Sequence, residues 1–223
     1  SPWWPTLTLV WVCMQGAFGA LTVTMKLFPA IVSLHLLGGM GLLALLQVQH
    51  VAYTLNPIAQ PSRLPRSLVM SVVTVFVLLW VQIALGAWVS TNYAVLACQD
   101  FPTCQGQWWP PMDMAAGFEV WRHLGLAADG SAITFAALTA IHYVHRLSAY
   151  VVLLALVWLG WRLLREQGWR AAAYGLWLLA AWQLITGLSN VVLGWPLVAA
   201  VSHTDTCSRP YSFYGHSIPA HCG

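Results

Sequence analysis

Four histidines fall where apolar helices would carry them: His35, His142, His145 and His203. An ionisable side chain inside an apolar span is costly and marks a functional site by default. Neutral imidazole is a good axial ligand for heme iron, and helix bundles build cofactor sites from facing side chains. One such histidine alone is explained equally well by a hydrogen bond to a neighbouring helix. An internal repeat shifts that balance. QGAFGALTVTMKLFPAIVSLH, from Gln15 to His35, and QLITGLSNVVLGWPLVAAVSH, from Gln183 to His203, align at one offset in Gln, in the Gly four places on and in the closing His. Pro29 and Pro196 are one place out of register. Each copy reads as a helix, a short turn and a second helix with its histidine about two turns in.

A bis-histidine iron site in the second half needs a partner for His203 on another helix. His142 and His145 are the candidates; three residues apart, they share one broad helix face. Both cannot ligate one iron together with His203, and the spacing leaves the choice open. Arg146, beside them, suits a carboxylate such as a heme propionate; the competing reading is a guanidinium that snorkels outward. Cys98 and Cys104 flank QDFPT in a loop, and we expect a disulfide there if the loop faces an oxidising compartment. A redox role for the pair is the weaker reading. Cys13 lies in a span and reads as packing. His50 at a helix end and His123 in the loop read as solvated, and His216 and His221 carry little weight.

The elements that must position these groups are membrane spans. Apolar residues make up 59% of the chain and charged residues 7%, against roughly a quarter charged in a soluble domain. A net charge of +3 with no basic aromatic run gives no case for a nucleic-acid partner. The 14 tryptophans suit membrane interfaces. The fold class expected is all-α and polytopic, with membrane lipid as its surroundings. Apolar stretches predict spans over about 6–23, 30–51, 67–93, 131–161 and 171–193, with a partial sixth from near Leu197. The fourth is longer than the roughly 20 residues a bilayer needs, so its first turns should stand outside.

The repeat spacing implies a duplicated four-helix unit. Residues 1–55 read as the second half of an N-terminal bundle, 56–66 as a linker and 67–204 as a C-terminal bundle with a loop at 94–130. Two helices are then expected ahead of Ser1. The end of the chain, 205–223, has no apolar period and reads as an aberrant tail that truncates the last helix, because broken backbone cannot cross lipid. Arg63, Arg66, Arg162, Arg165 and Arg170 gather in two loops on one side. The positive-inside rule makes that side cytoplasmic and puts the 94–130 loop outside.

The stretches GALTVTMKLFPAIVSLHLLGG, QIALGAWVSTNYAVLACQDFPTCQGQWWP, AIHYVHRLSAY and QLITGLSNVVLGWPLVAAVSH together resemble the bacterial branch of the heme A synthase family over about residues 6 to 204. The resemblance implies two similar four-helix bundles in an inner membrane. It implies a heme b cofactor between His145 and His203, and a heme O substrate site in the other bundle with His35 as one ligand. The second substrate-side histidine and an acidic catalytic residue of the family have no match here. Cys98 and Cys104 match a cysteine pair of the family. The reaction implied is oxidation of a heme O methyl group to an alcohol and then to the formyl group of heme A, for terminal oxidase biogenesis, with Arg146 as a propionate contact. Heme O synthase and a second copy of the chain are candidate partners. Two other functions fit the same histidines: a diheme electron-transfer protein and a heme O-binding assembly factor. Neither would produce heme A.

Overall fold

A computed structural model describes residues 3–54, 65–194 and 201–203. Five long helices dominate: α1 (Trp3–Thr24), α2 (Pro29–Thr54), α3 (Arg66–Thr91), α5 (Phe135–Leu164) and α6 (Arg170–Val192), with a short α4 (Met114–Gly117) in the long loop. All five are long and apolar enough to cross a membrane, and the protein is an all-α, multi-pass membrane protein. Residues 201–203 are again helical. The turn at Pro196, most of the linker, the tail 205–223 and with it His216 and His221 lie outside the described residues.

The helices follow one another in space: α1 packs on α2, α2 on α3, α3 on α5 and α5 on α6. Leucines, valines and tryptophans such as Leu154, Leu178, Val77 and Trp158 stay exposed, which suits a surface solvated by lipid tails. With lipid outside, burial of apolar area cannot hold the helices together, so small residues and internal hydrogen bonds must. Trp11 donates through Nε1 to the Gly38 carbonyl at 2.8 Å, and Gln49 donates to Thr8 Oγ1 at 2.6 Å; both join α1 to α2. Ser33 and Thr91 hydroxyls meet at 3.0 Å between α2 and α3. Trp177 Nε1 donates to the Val157 carbonyl at 3.1 Å, tying α6 to α5.

The α1–α2 turn shows how tightly the chain reverses. Lys26 and Leu27 both adopt positive φ, 50° and 59°. Leu27 N–H reaches the Thr22 carbonyl at 2.8 Å and Lys26 N–H the Val23 carbonyl at 3.1 Å, the crossed pair that closes a helix end. Pro29 can then open α2 because its missing N–H is one the first turn does not need.

Helix α5 starts later than the sequence pattern implies. Thr134 caps it, accepting from the Ala137 N–H at 3.2 Å, and residues 131–134 belong to the loop, where Leu126 pairs with Ala132. Hydropathy marks where apolar residues begin; the cap decides where the helix does.

Gly160 tests this packing. A Cβ there would lie 2.2 Å from Trp177 Nε1, whereas one on Gly16 would meet nothing. Gly160→Val should destabilise the α5–α6 pair by about 1–3 kcal/mol, read as a lowered unfolding midpoint in detergent. Gly16→Ala should leave the midpoint unchanged or raise it.

Candidate heme-binding histidines and their helix shelves

Three histidines share one local structure. His35 on α2 lies over Gly19 of α1, and a methyl group built on that glycine would come 3.3 Å from His35 Cε1. His145 on α5 lies over Gly86 of α3 in the same way, at 3.1 Å, and His203 over Gly187 of α6, at 3.3 Å. Each ring rests its Cε1 edge on a glycine because no other residue lets an imidazole come that close to a helix backbone. Each glycine stands four residues after a glutamine, one turn along the same helix: Gln15, Gln82 and Gln183. Each glutamine also sits the same number of residues before the end of its helix, Gln15 before Thr24, Gln82 before Thr91 and Gln183 before Val192. The three shelves therefore lie the same distance from the ends of their helices.

The Gln15 and Gln183 copies are the repeat visible in the sequence. The Gln82 copy escapes a short-window comparison because the long loop separates it from His145. QIALG was the signal that could have revealed it.

The shelves differ in their hydrogen bonds. Gln82 Nε2 is 3.1 Å from His145 Nδ1 and donates to the His145 carbonyl at 3.3 Å. Gln183 Nε2 donates to the His203 carbonyl at 3.0 Å, and the Thr186 hydroxyl lies 2.9 Å from His203 Nδ1. Buried His35 Nδ1 has no hydrogen-bond partner among the described residues. His142 faces elsewhere: its Nε2 accepts from Arg146 Nε at 3.3 Å. His145 is thus set against α3, while His142 is set against Arg146.

Arg146 organises that loop. Its guanidinium donates to the carbonyls of Cys98 (2.6 Å), Asp100 (2.8 Å) and Thr103 (3.0 Å). It also borders a cleft of about 340 Å³ lined with Tyr143, Tyr150, Phe101 and Trp108. The loop it holds is the one closed by the Cys98–Cys104 disulfide, Cα–Cα 4.8 Å, with both cysteines fully buried. Asp100 caps the loop from within, accepting from the Thr103 hydroxyl and from the N–H groups of Gln105 (2.7 Å) and Gly106 (2.8 Å). The remainder of the long loop has its own clamp, which sequence reasoning did not single out. Buried Arg122 donates to Asn92 Oδ1 at 2.6 Å and to the Leu126 carbonyl at 3.2 Å. Burial lowers its pKa and the Glu119 charge opposes that. Trp88 Nε1 adds a bond to the Gly117 carbonyl at 2.9 Å. His123 is exposed, with its ring edge-on to Phe28 at 5.4 Å.

The comparison that decides the family is a match over residues 1–206 to COX15-CtaA, described as cytochrome oxidase assembly protein. The chain belongs to this family. Among curated relatives it is similar to heme A synthase of Shewanella oneidensis, 35% identical over 200 residues, which covers 89% of this chain and 60% of that protein. It is similar to heme A synthase of Halalkalibacterium halodurans at 27% over 207 residues, 88% of this chain and 60% of the relative. The heme A synthase of Methylobacterium radiotolerans matches at 28% over 199 residues, 85% and 51%. The chain thus spans between half and two thirds of the length of these relatives.

The loop makes a prediction with a definite sign. The Thr103 hydroxyl, then the Gly106 N–H, hold the Asp100 carboxyl below its ordinary value, against a smaller opposing effect of burial. A lowered folded value means that the stabilisation is present above the ordinary carboxylate range, about 3.9, and is lost as pH falls through the lowered value. Reduction of the Cys98–Cys104 disulfide by a phosphine should therefore be slow at neutral pH and accelerate in acid below about pH 4. Asp100→Ala should be reduced quickly at neutral pH already. Mass spectrometry of alkylated thiols reads both rates.

Proposed function

We propose that the protein acts in heme A synthesis, oxidising a methyl group of heme O to an alcohol and then to the formyl group of heme A. The observation that carries this reading is the repeated seat of His35, His145 and His203, each ring on a glycine four residues after a glutamine, in a chain similar to named heme A synthases. The donor set fits a porphyrin iron, for which neutral imidazoles carried on helices are good ligands. Among the described residues, buried Gln82 Oε1 and His35 Nδ1 have no hydrogen-bond partner, which leaves polar capacity at two of the three seats for a ligand to use.

His145 and His203 would hold a heme b, which would supply single-electron transfer. His35 would stand on the substrate side and bind heme O. Arg146 would offer its charge to a propionate from the wall of the cleft, while its bonds to the loop carbonyls fix the α5 turn that carries His145. The arginines at residues 63, 66, 162, 165 and 170 favour a cytoplasmic placement for that end of the helices in an inner membrane, with the disulfide loop on the opposite, oxidising side.

A reduced-minus-oxidised spectrum with a pyridine hemochrome assay tests the site in purified protein. The expected result is a low-spin b-type heme that is lost in His145→Ala and in His203→Ala and kept in His142→Ala. Heme retained in either of the first two would overturn the ligand assignment. Supplying heme O and finding no heme A by chromatography, with the b-type heme in place, would favour electron transfer without methyl oxidation.

A further inference from the structure

The three shelves have different residues at the position just before the glycine. On α6 it is Thr186, on α3 Leu85 and on α1 Phe18. Thr186 is buried, and its hydroxyl lies 2.9 Å from both His203 Nδ1 and the Trp182 carbonyl one turn back on its own helix. A hydroxyl has one hydrogen and two lone pairs. With the hydrogen directed to the Trp182 carbonyl, as buried helical threonines commonly do, the oxygen can only accept from the ring. Nδ1 of His203 then carries the proton, and Nε2 is the nitrogen with the lone pair. At α3 the Gln82 amide nitrogen lies 3.1 Å from His145 Nδ1, but it is a donor, so this contact does not fix the same tautomer. At α1 the matching Phe18 has no polar atom in its side chain, and His35 Nδ1 is buried with no hydrogen-bond partner among the described residues.

We propose that Thr186 is a positioning residue that fixes His203 in the Nδ1–H tautomer as a permanent ligand, and that Phe18, at the matching place, leaves His35 without such a bond so that its porphyrin can leave. The inference rests on the heme reading above. It divides the histidines by chemistry: a ligand whose second nitrogen is hydrogen-bonded is better oriented and more basic, which suits a resident cofactor. A substrate that must be exchanged after reaction needs a ligand held less firmly. Gln183 supplies the complementary restraint at His203 by holding its main-chain carbonyl, so backbone and ring are fixed by two residues one turn apart.

The first test needs no heme. In protein labelled with ¹⁵N-histidine, with the His203 signals assigned by their loss in His203→Ala, the nitrogen shifts report the tautomer directly. Parent protein should show Nδ1–H at His203. Thr186→Val, nearly the same shape, should move it to the Nε2–H form that free imidazole side chains favour, and Thr186→Ser should restore it. A parent His203 in the Nε2–H form, or a tautomer indifferent to Thr186→Val, overturns the proposal whether or not heme binds. In heme-loaded protein, Thr186→Val should weaken retention of the b-type heme by roughly tenfold to a hundredfold and raise its midpoint potential, with Thr186→Ser near the parent. Phe18→Thr should slow escape of heme O. Unchanged retention and potential in a folded Thr186→Val that still carries heme would overturn the proposal while leaving the ligand assignment intact.

Discussion

A side-chain nitrogen inside an apolar helix bundle has no water to bond with, and its partner must come from the next helix. This constraint orders the protein at every level. Where apolar burial holds a soluble protein together, here lipid surrounds the helices and gives little preference for contact between them. The groups that select a particular arrangement are those that cannot be left unpaired. Trp11, Gln49, Ser33 and Trp177 each bridge two helices by hydrogen bonds. Gly41 and Gly160 give the Trp11 and Trp177 rings room to approach.

The histidine shelves are the same constraint applied to the site. An imidazole brought against a helix backbone needs a glycine below it and a polar group beside its ring or its main chain. Glutamine one turn earlier serves that purpose for His145 and His203. Because glutamine and glycine are spaced one helical turn apart, both face the same neighbour, and the histidine enters at a fixed height. Three helix pairs use the device, each bringing its histidine against the glycine of the partner helix.

The long loop extends this logic beyond the helices. Arg146 and Arg122 are both buried, and each binds loop oxygens instead of a carboxylate partner. Carbonyls are suitable acceptors for a guanidinium that cannot be deprotonated, since several can converge on its planar fork. Arg146 follows His145 directly in the chain. The hold on the disulfide loop and the seat of a candidate iron ligand are thus set by one turn of α5. The loop is a rigid cover built from Asp100, the disulfide and two cations, with Tyr143 donating to the Trp108 carbonyl to complete its attachment.

Much of this was legible in the sequence. Scarcity of charge and runs of apolar residues determine how many helices span a bilayer and nearly where they lie, because hydropathy needs no tertiary information. The pairing of Cys98 with Cys104 was legible for a similar reason, a short spacing in a loop outside the helices. The offset between Gln15 and Gln183 exposed two of the shelves, since a short turn keeps each motif within one window. The third was hidden because Gln82 and His145 meet only when the long loop folds back. Composition could not choose between His142 and His145, which share a helix face; only the folded chain sets one against Gln82 and Gly86 of α3 and the other against Arg146. Nor could sequence show that Thr186 touches a ring nitrogen and Phe18 does not. Those contacts are made between helices, at distances set by glycines whose partners lie elsewhere in the chain.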